Sequence, residues 1–388
     1  MRWLTGRRIG LGRGASAALN AIKNAGYFLR SVGLDIEERI GLIRSEPVEE
    51  IVTEGELRTL LETKSRPRHY IGLEISGMPH IGHVLVAGKK LKDLEAAGVE
   101  TQVLLADWHT VANNKLGGDW ERIIKASGFY RRLFKEVSPK TKIVLGSELY
   151  EEDPGYWKLV MKMAARTTVA RATRTLIIEG RSEKDTLHVS QYIYPIMQSA
   201  DIEALGVDIP HAGMDQRKVH MLAKELFGEM GMRKIVPIHH HLLPSLSEPP
   251  KNMWDGNKEE IVAEMKMSKS KPGSAIGILY TDEEISSAIG GSWCPAGVVE
   301  HNPLLELCRY LIIPSAGRLE VERDAKYGGD IEILSYQELE TLYASKKLHP
   351  VDLKGAVSRA MIKLISPVRD KFIGEKEKLL ELFGNTSK

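Results

Sequence analysis

Apolar and polar positions along the middle of the chain predict strands that alternate with long helices. An apolar run at Tyr70–Ile75 leads through a Ser-Gly-Met-Pro turn into an amphipathic stretch from Gly82 to Ala97. Strand, turn and helix in this order open a doubly wound α/β domain. Further strands are predicted at Thr101–Ala106, Lys142–Leu145 and near Lys234–Ile238, with helices between them. The alternation predicts a parallel sheet that holds ligands above the carboxyl ends of its strands.

The pattern changes on both sides of this region. Charged and aliphatic residues recur at helical intervals over Ile36–Thr63, which predicts a helix there. Beyond residue 274 short helical segments predominate, with breaks at Cys294–Gly297 and Ala325–Asp330. The predicted parts are therefore a basic N-terminal extension at 1–35, a Rossmann-like α/β domain at 36–273 and a mainly helical domain at 274–388.

The first part is unusual in charge. Residues Met1–Gly33 contain six basic side chains and no acidic one. Such a start is typical of a transit peptide or a nucleic-acid-binding arm. A loosely ordered extension, or residues upstream of the true start codon, explains the same composition. No function is predicted for this part.

Composition and charge narrow the class of protein. Hydrophobic residues make up 43% and charged residues 27%, as in ordinary globular proteins. Because 54 basic residues oppose 52 acidic ones, any nucleic-acid surface must be a local patch. Cys294 and Cys308 lack the spacing of a metal site or a disulfide framework, which indicates a reducing compartment. No apolar run reaches the ~18 residues of a membrane span. We expect a cytoplasmic protein without a metal site.

The segment His80-Ile81-Gly82-His83 lies where the first strand of the α/β pattern turns into the first long helix. Two imidazoles three residues apart can face the same way at a helix N-terminus, where backbone N–H groups and the dipole favour anionic oxygen. Gly82 lets a phosphate or a flat ring approach the backbone closely. The arrangement suits binding of a nucleoside triphosphate, although two histidines that only cap the helix would produce the same sequence.

A second segment, Lys266-Met267-Ser268-Lys269-Ser270, follows about 180 residues later. Pro272 and Gly273 come close behind it, which indicates a loop. Such a loop can bring two ammonium groups onto a pyrophosphate leaving group. By itself the segment is better explained as a solvated Lys/Ser loop. The two segments together, in this order on an α/β pattern, resemble the signatures of class I aminoacyl-tRNA synthetases.

A polar stripe lies between the two signatures. Tyr194, Gln198 and Asp201 follow one another at intervals of four and three, so a helix places them on one face. Pro195 is suited to the first turn of this helix. Such a stripe faces water or lines a polar pocket, and the flanking Ile196 and Met197 favour the pocket.

The strings YIGLEISG, HIGH, YPIMQSAD, AGMDQRK and KMSKS resemble those of archaeal and eukaryotic tyrosyl-tRNA synthetases, over roughly residues 36 to 370. The resemblance implies a tyrosine pocket in the α/β domain, which would then be the catalytic domain. Tyr70 and Asp201 would bind the phenolic hydroxyl of tyrosine. Tyr194, Gln198 and Gln216 would hold its α-ammonium group.

The resemblance also implies an ATP site. Asp215 would contact the ribose, while Gly72 and Gly82 would leave room for the nucleotide. His80 and His83 would stabilise charge at the α-phosphate. The substrate carboxylate attacks the α-phosphate, so no covalent nucleophile is needed and catalysis would consist of positioning and charge stabilisation.

The lysine-rich segment would complete the reaction. Lys266 and Lys269, with Ser268 between them, would stabilise the leaving pyrophosphate. ATP would enter as a substrate with Mg²⁺, and no tightly bound cofactor is implied. The expected activity is that of an ATP-dependent tyrosine–tRNA ligase, which forms tyrosyl-adenylate and then transfers tyrosine to the 3′ end of tRNA(Tyr). The resemblance further implies a homodimer, with tRNA reaching across the subunits.

The residues that match tRNA-contacting positions of the family lie in both domains. At the acceptor end they are Arg174, Arg217 and Lys218. In the C-terminal domain, which would bind the anticodon, Tyr327 and His349 would stack the first anticodon base and Asp352 would read it. Aromatic rings stack unpaired bases, and a carboxylate accepts from the Watson–Crick edge of guanine. A loop tyrosine and a helix N-cap aspartate are the simpler interpretations of Tyr327 and Asp352.

The chain departs from the family pattern at Ile75, where a proline is often found, and in the extension Met1–Gly33. A further run, His239-His240-His241, raises the question of a metal site. Family members use none there, so we interpret this run as surface at a strand end.

Three other functions remain open at the level of sequence. A tryptophanyl-tRNA synthetase shares the fold and both signatures but has less use for a carboxylate and a phenol facing a side-chain hydroxyl. A silent RNA-binding relative would not need the paired histidines and lysines. A nucleotidyltransferase unrelated to tRNA would leave the C-terminal helices unexplained.

Overall fold

A six-stranded sheet forms the centre of the structure, a computed structural model that describes residues 33–176, 188–250, 267 and 273–384. The strands lie in the order β1-β6-β5-β2-β3-β4. Their bounds are β1 Val48–Ile51, β2 Arg68–Leu73, β3 Glu100–Leu105, β4 Lys142–Leu145, β5 Ile209–Gly213 and β6 Ile238–His240. Neighbouring strands from β6 to β4 run parallel, and β1 pairs with β6 antiparallel at one edge. The predicted doubly wound, Rossmann-like fold is confirmed, with this one antiparallel strand added.

Helices surround the sheet. In the α/β region they are α1 Ile36–Arg44, α2 Glu54–Thr63, α3 Ala87–Ala96, α4 Asp107–Ala112, α5 Trp120–Val137, α6 Gly146–Glu152, α7 Tyr156–Ala164, α8 Val169–Leu176, α9 Val189–Ala204 and α10 Arg217–Glu229. A π-helical turn at Gly82–Val86 precedes α3, and a 3₁₀ turn at Met214–Gln216 precedes α10.

The two faces of the sheet bury different sets of side chains because successive residues of a strand point in opposite directions. Ile71 of β2 and Val103 of β3 join a cluster that also contains Phe129 and Phe134 of α5. Their neighbours in sequence, Tyr70 and Leu104, join a second cluster with residues of α7, α9 and α10. Tyr70 therefore lies on the same side of the sheet as α9, the helix that carries the polar stripe.

Several helices begin or end at residues that commonly cap helices. Asp35 and Glu38 form a capping box at the start of α1, and Thr53 and Glu56 form another at the start of α2. Gly98, at φ +77°, lies just beyond α3 in the left-handed conformation that favours glycine.

Three predicted elements need correction. The helix predicted over Ile36–Thr63 is two helices separated by β1. The strand predicted near Lys234–Ile238 begins only at Ile238, and Ile209–Gly213 forms a strand that the pattern did not reveal. Pro195 lies inside α9 rather than in its first turn, because the helix begins six residues earlier at Val189.

The interpretation of His239-His240-His241 as surface is wrong for the first two residues. The side chain of His239 is fully buried and His240 is buried as well. Nδ1 of His240 lies 2.8 Å from Nε2 of His211, whose Nδ1 lies 3.1 Å from Nε2 of His69. Burial lowers the pKa of His240 to about 4, so these rings are neutral and pair with one another. Among the described residues no group of three or more His, Cys, Asp or Glu side chains is arranged to hold a metal ion.

The region after residue 274 is mainly helical, as predicted. Its helices are α11 Asp282–Gly290, α12 Pro303–Leu307, α13 Ile313–Ala316, α14 Tyr336–Ala344, α15 Pro350–Arg369 and α16 Lys376–Phe383. A small antiparallel sheet joins β7 Leu319–Val321 to β8 Ile331–Ile333.

The last helix packs against α5 of the α/β region. The ring of Phe129 lies 5.5 Å from that of Phe372 and 6.0 Å from that of Phe383, measured between centroids. Arg132 donates two hydrogen bonds of 2.7 Å to Glu375. The two regions therefore share one hydrophobic cluster. No helix in the described parts of the chain is both long and apolar enough to cross a membrane.

Candidate active site

The two histidines of the HIGH segment lie together at the carboxyl end of β2. Their ring centroids are 4.1 Å apart. The backbone N–H of Gly82 donates to Nδ1 of His80 over 3.1 Å, which fixes this ring over the turn. A side-chain Cβ at position 82 would lie 2.8 Å from Cε1 of His80, so this close approach requires glycine.

The segment that follows the lysine-rich signature runs beside this turn. His80 forms an isolated β-bridge with Gly277. The N–H of Ile81 donates to the carbonyl of Ile276 over 3.0 Å, and that of Ile278 donates to the carbonyl of Pro79. Met267 is buried and its N–H donates to Leu243. Lys266, Ser268 and Lys269 lie outside the described residues, and the Ile276–Ile278 stretch that follows them pairs with the backbone of the HIGH turn.

The polar stripe of α9 includes a buried carboxyl group beside other buried polar side chains. Asp201 is 1% exposed, and its Oδ1 accepts a 2.7 Å hydrogen bond from the hydroxyl of Tyr156. Its Oδ2 has no hydrogen-bond partner among the described residues and lies 3.6 Å from Nε2 of His109. The hydroxyl of Tyr70, on the facing strand, is buried near Gln198 and Asp201 without a hydrogen bond of good geometry. A buried polar atom without a partner costs about 1–3 kcal/mol, so these atoms indicate a place for a ligand.

Burial controls the charges in this pocket. It raises the pKa of Asp201 to about 7, although hydrogen bonding to Tyr156 and Tyr150 acts in the opposite direction. It lowers the pKa of His109 to about 4, which leaves this imidazole neutral. It also raises the pKa of Tyr70, so that phenol stays protonated and can donate. The pocket therefore combines one carboxyl group with neutral donors.

The remaining residues of the polar stripe lie at the opening of the pocket. Tyr194 and Gln198 are half-buried on α9, and the ring of Tyr194 meets that of His109 edge to face at 4.6 Å. Asp215 and Gln216, both half-buried, form the 3₁₀ turn that follows β5. Gly72 is exposed near the end of β2. All of these residues lie at or beyond the carboxyl ends of parallel strands, where doubly wound folds bind ligands.

A family model decides between the classes of protein that have such a site. The model of class I tRNA synthetases for tryptophan and tyrosine matches residues 62–366. The chain belongs to this family. The resemblance that the sequence motifs indicated is confirmed.

Individual members of the class I synthetase family are similar over most of the chain. The tyrosine–tRNA ligase of Thermococcus sibiricus is 42% identical over 366 residues, which cover 89% of this chain and 97% of that protein. The tyrosyl-tRNA synthetase of Pyrococcus horikoshii, solved in complex with L-tyrosine, has a TM-score of 0.84 at 41% identity, covering 90% of this chain and 99% of that one. The corresponding complex from Archaeoglobus fulgidus has a TM-score of 0.77 at 41% identity, with coverage of 87% and 99%.

The residues predicted to contact the acceptor end of tRNA lie on two helices that touch one another, α8 and α10. Arg174 is exposed on α8, where its Nε donates to the carbonyl of Ala170 over 3.3 Å. Arg217, at the start of α10, donates to Oε2 of Glu50 over 2.8 Å. Lys218 follows it and is half-buried.

The residues predicted to read the anticodon lie on two neighbouring segments of the C-terminal region. Tyr327 is 64% exposed in a 3₁₀ turn. His349 is the N-cap of α15, and its ring accepts from the N–H of Val351, while Asp352 lies in the first turn of that helix. Arg323 connects the two segments, since it donates to the carbonyl of Gly329 on one side and to that of Lys347 on the other.

Three buried residues of the pocket were not predicted: His109, Tyr150 and Tyr156. A signal for two of them was present, because His109 follows β3 and Tyr150 follows β4 within a few residues. Side chains in these positions lie at the ligand-binding edge of a parallel sheet. Tyr156 begins α7 and gave no signal of this kind.

Proposed function

We propose that the chain is an ATP-dependent tyrosine–tRNA ligase. It activates L-tyrosine with ATP to form tyrosyl-adenylate and pyrophosphate, and it transfers the tyrosine to the 3′ end of tRNA(Tyr). The observation that carries this proposal is the buried Asp201, whose Oδ2 has no hydrogen-bond partner among the described residues. A carboxylate of this kind selects a substrate that carries a hydroxyl group.

The phenol of tyrosine provides the missing partners. Its hydroxyl donates to Oδ2 of Asp201 and accepts from the hydroxyl of Tyr70. Tyr194, Gln198 and Gln216 hold the α-ammonium group at the opening. Phenylalanine would leave Asp201 and Tyr70 unsatisfied and is therefore rejected without an editing step. Such discrimination is a general property of tyrosine–tRNA ligases.

Activation takes place at the HIGH turn. The tyrosine carboxylate attacks the α-phosphate, and His80 and His83 stabilise the negative charge that develops there. Gly72 and Gly82 allow the nucleotide to approach the backbone, and Asp215 contacts the ribose. Lys266, Ser268 and Lys269 stabilise the pyrophosphate as it leaves. Mg²⁺ enters with ATP as its counter-ion, since the described residues contain no cluster that would hold the ion alone.

Transfer requires contact with tRNA at two places. Arg174, Arg217 and Lys218 bind the acceptor end, because cationic side chains neutralise phosphates. At the far end, Tyr327 and His349 stack the first anticodon base, and Asp352 accepts hydrogen bonds from its edge. The exposure of Tyr327 and the position of Asp352 in the first turn of α15 support this assignment. We assign residues 36–273 to catalysis and 274–388 to the anticodon, with 1–35 as an extension.

A second copy of the chain is the proposed partner of α7 and α8. Trp157 is 47% exposed, Met161 68% and Val169 70%. Trp157 and Met161 are one helical turn apart, so they form a continuous apolar surface. Monomeric proteins rarely expose such surfaces, and a homodimer would cover this one.

Both cysteines are buried and free, which suits the cytoplasm.

The decisive experiment is amino-acid-dependent exchange of pyrophosphate into ATP, measured with each of the twenty amino acids. Exchange with tyrosine alone is expected. Exchange that depends on tryptophan would assign the chain to the other branch of its family. Binding of tRNA without exchange for any amino acid would make it a silent RNA-binding relative.

A further inference from the structure

Two stacked phenol side chains at the base of the tyrosine pocket have no role in the proposed function. Tyr150 belongs to α6 and Tyr156 begins α7. Their ring centroids are 3.9 Å apart, and the ring planes differ by only 18°. Both side chains are buried, at 5% and 0% exposure. Buried phenols normally form a hydrogen bond through their hydroxyl groups, so we looked for the groups that these two hydroxyls face.

Among the described residues one of the two hydroxyl groups donates a hydrogen bond to the carboxyl group of Asp201. That of Tyr156 donates to Oδ1 over 2.7 Å. That of Tyr150 lies close enough to Tyr156 and Asp201 to interact with both, yet it has no hydrogen-bond partner of good geometry among the described residues. The protein therefore occupies one oxygen of the carboxyl group and leaves the other, Oδ2, for a ligand.

We propose that Tyr150 and Tyr156 are positioning residues, which hold the Asp201 carboxylate ionised and directed so that Oδ2 accepts the hydrogen bond of the substrate phenol. This inference rests on the proposed function and extends its tyrosine site. Neither residue needs to touch the substrate. They act through Asp201, which does.

The charge balance around Asp201 explains why two phenols are required. Burial raises the pKa of this carboxyl group to about 7, and Asp107 adds to the effect, whereas Tyr156 and Tyr150 lower it. His109 is neutral and supplies no positive charge. The polar groups that face Asp201 are Tyr70 of β2, Asp107 and His109 of α4, Tyr150 of α6 and Tyr156 of α7. None of these groups is a cation, so the phenol hydroxyls are the groups that favour the carboxylate.

Loss of either phenol hydroxyl should therefore favour the protonated carboxyl group. A protonated Asp201 presents a donor where the substrate phenol needs an acceptor. The defect should depend on pH, since a higher pH restores the carboxylate. A side chain with a purely structural role would give a defect that does not depend on pH in this way.

The test compares the wild-type chain with Tyr150→Phe and Tyr156→Phe in tyrosine-dependent pyrophosphate exchange between pH 6 and 9. At pH 7 we expect the KM for tyrosine to rise by about tenfold in Tyr156→Phe and by about threefold in Tyr150→Phe, as for a lost hydrogen bond to a charged group. The KM should approach the wild-type value at pH 9. The KM for ATP should not change, and the preference for tyrosine over phenylalanine should fall by the same factor as the KM rises.

Tyr343→Phe is the matched control. It also removes a buried hydroxyl, which lies 3.0 Å from the carbonyl of Pro295 in the C-terminal region, and it should leave the KM for tyrosine unchanged at every pH. An equal rise in KM across the pH range, or a parallel rise in the KM for ATP, would overturn the inference. Wild-type levels of KM in both variants would also overturn it while leaving the proposed function intact. Absence of tyrosine-dependent exchange in the wild type would refute the proposed function and the inference with it.

Discussion

Nε2 of His241 lies 2.6 Å from Oε2 of Glu306, and this contact joins the end of the central sheet to α12 of the C-terminal region. Nδ1 of the same ring lies 2.5 Å from Oε1 of Glu49 in β1. The ring also stacks on Tyr310, with 4.0 Å between centroids. One imidazole therefore connects three parts of the chain.

The stability of the protein should depend on the charge of His241. Burial opposes that charge, but Glu306 and Glu49 outweigh it and raise the pKa of His241 to about 9. The folded state thus binds this proton more tightly than the unfolded chain. The stabilisation is complete below about pH 6.5 and is lost as the pH rises through 9. We expect a loss of about 2 kcal/mol over this interval, since Glu49 is partly exposed.

Chemical denaturation of the wild type and of His241→Gln at pH 6, 7.5 and 9.5 would measure this effect. The difference in free energy of unfolding between the two proteins should shrink as the pH rises. A difference that stays constant with pH would show that the ring acts through packing on Tyr310 and not through its charge.

Replacement of Asp201 should separate the two substrates. Asp201→Ala removes the acceptor for the phenol but leaves the HIGH turn untouched. We expect the KM for tyrosine to rise by at least about 100-fold, since a hydrogen bond to a buried charged group contributes about 3 kcal/mol. The KM for ATP, from the same exchange assay, should change less than about twofold. An equal loss for both substrates would contradict the placement of the tyrosine pocket.

The close contact at Gly82 predicts a defect confined to catalysis. Gly82→Ala brings a methyl group within 2.8 Å of Cε1 of His80, so the ring must move away from the turn. We expect the kcat of exchange to fall by about 10- to 100-fold, equivalent to about 1.4–2.7 kcal/mol of lost transition-state stabilisation. Gly41→Ala is the control, because no atom lies within 4 Å of the added carbon. If Gly82→Ala folds normally and leaves kcat unchanged, the position of His80 does not matter for catalysis as proposed.

The anticodon assignment predicts a defect in only one of the two reactions. Asp352→Ala should lower kcat/KM for aminoacylation of tRNA(Tyr) by about tenfold, as expected for a loss of about 1–3 kcal/mol at a base edge. Tyrosyl-adenylate formation should remain unchanged. Tyr327→Ala should behave in the same way, whereas Tyr327→Phe retains the ring and should aminoacylate normally. Loss of adenylate formation in Asp352→Ala would contradict the division of labour between the regions.

Much of the fold was predictable because its strands follow hydrophobic patterns. Lys142–Leu145 forms a strand with the predicted bounds, and the amphipathic stretch from Gly82 to Ala97 contains α3. The strand Ile209–Gly213 was missed because it contains Pro210, His211 and Gly213, which are poor strand formers. It is buried nonetheless, since His211 pairs with His69 and His240 on neighbouring strands. Partners this distant in sequence cannot be inferred from a local pattern.

The residues of the candidate site were likewise predictable from the sequence only in part. Residues that match family motifs, such as His80 and Asp201, could be named from the sequence. Tyr150 and Tyr156 could not, because their role depends on a stacking contact between two helices and on a carboxyl group 45 residues beyond Tyr156. Burial, which sets the charge of Asp201, is likewise a property of the folded chain alone.

The aromatic contacts of Phe129 with Phe372 and Phe383 have a consequence for how the protein unfolds. These rings place side chains from α5 and from the end of the chain in one apolar cluster, so neither region can open without exposing the other to water. Heating should therefore melt both regions in a single cooperative transition, because the C-terminal region packs directly against the helix beside the sheet.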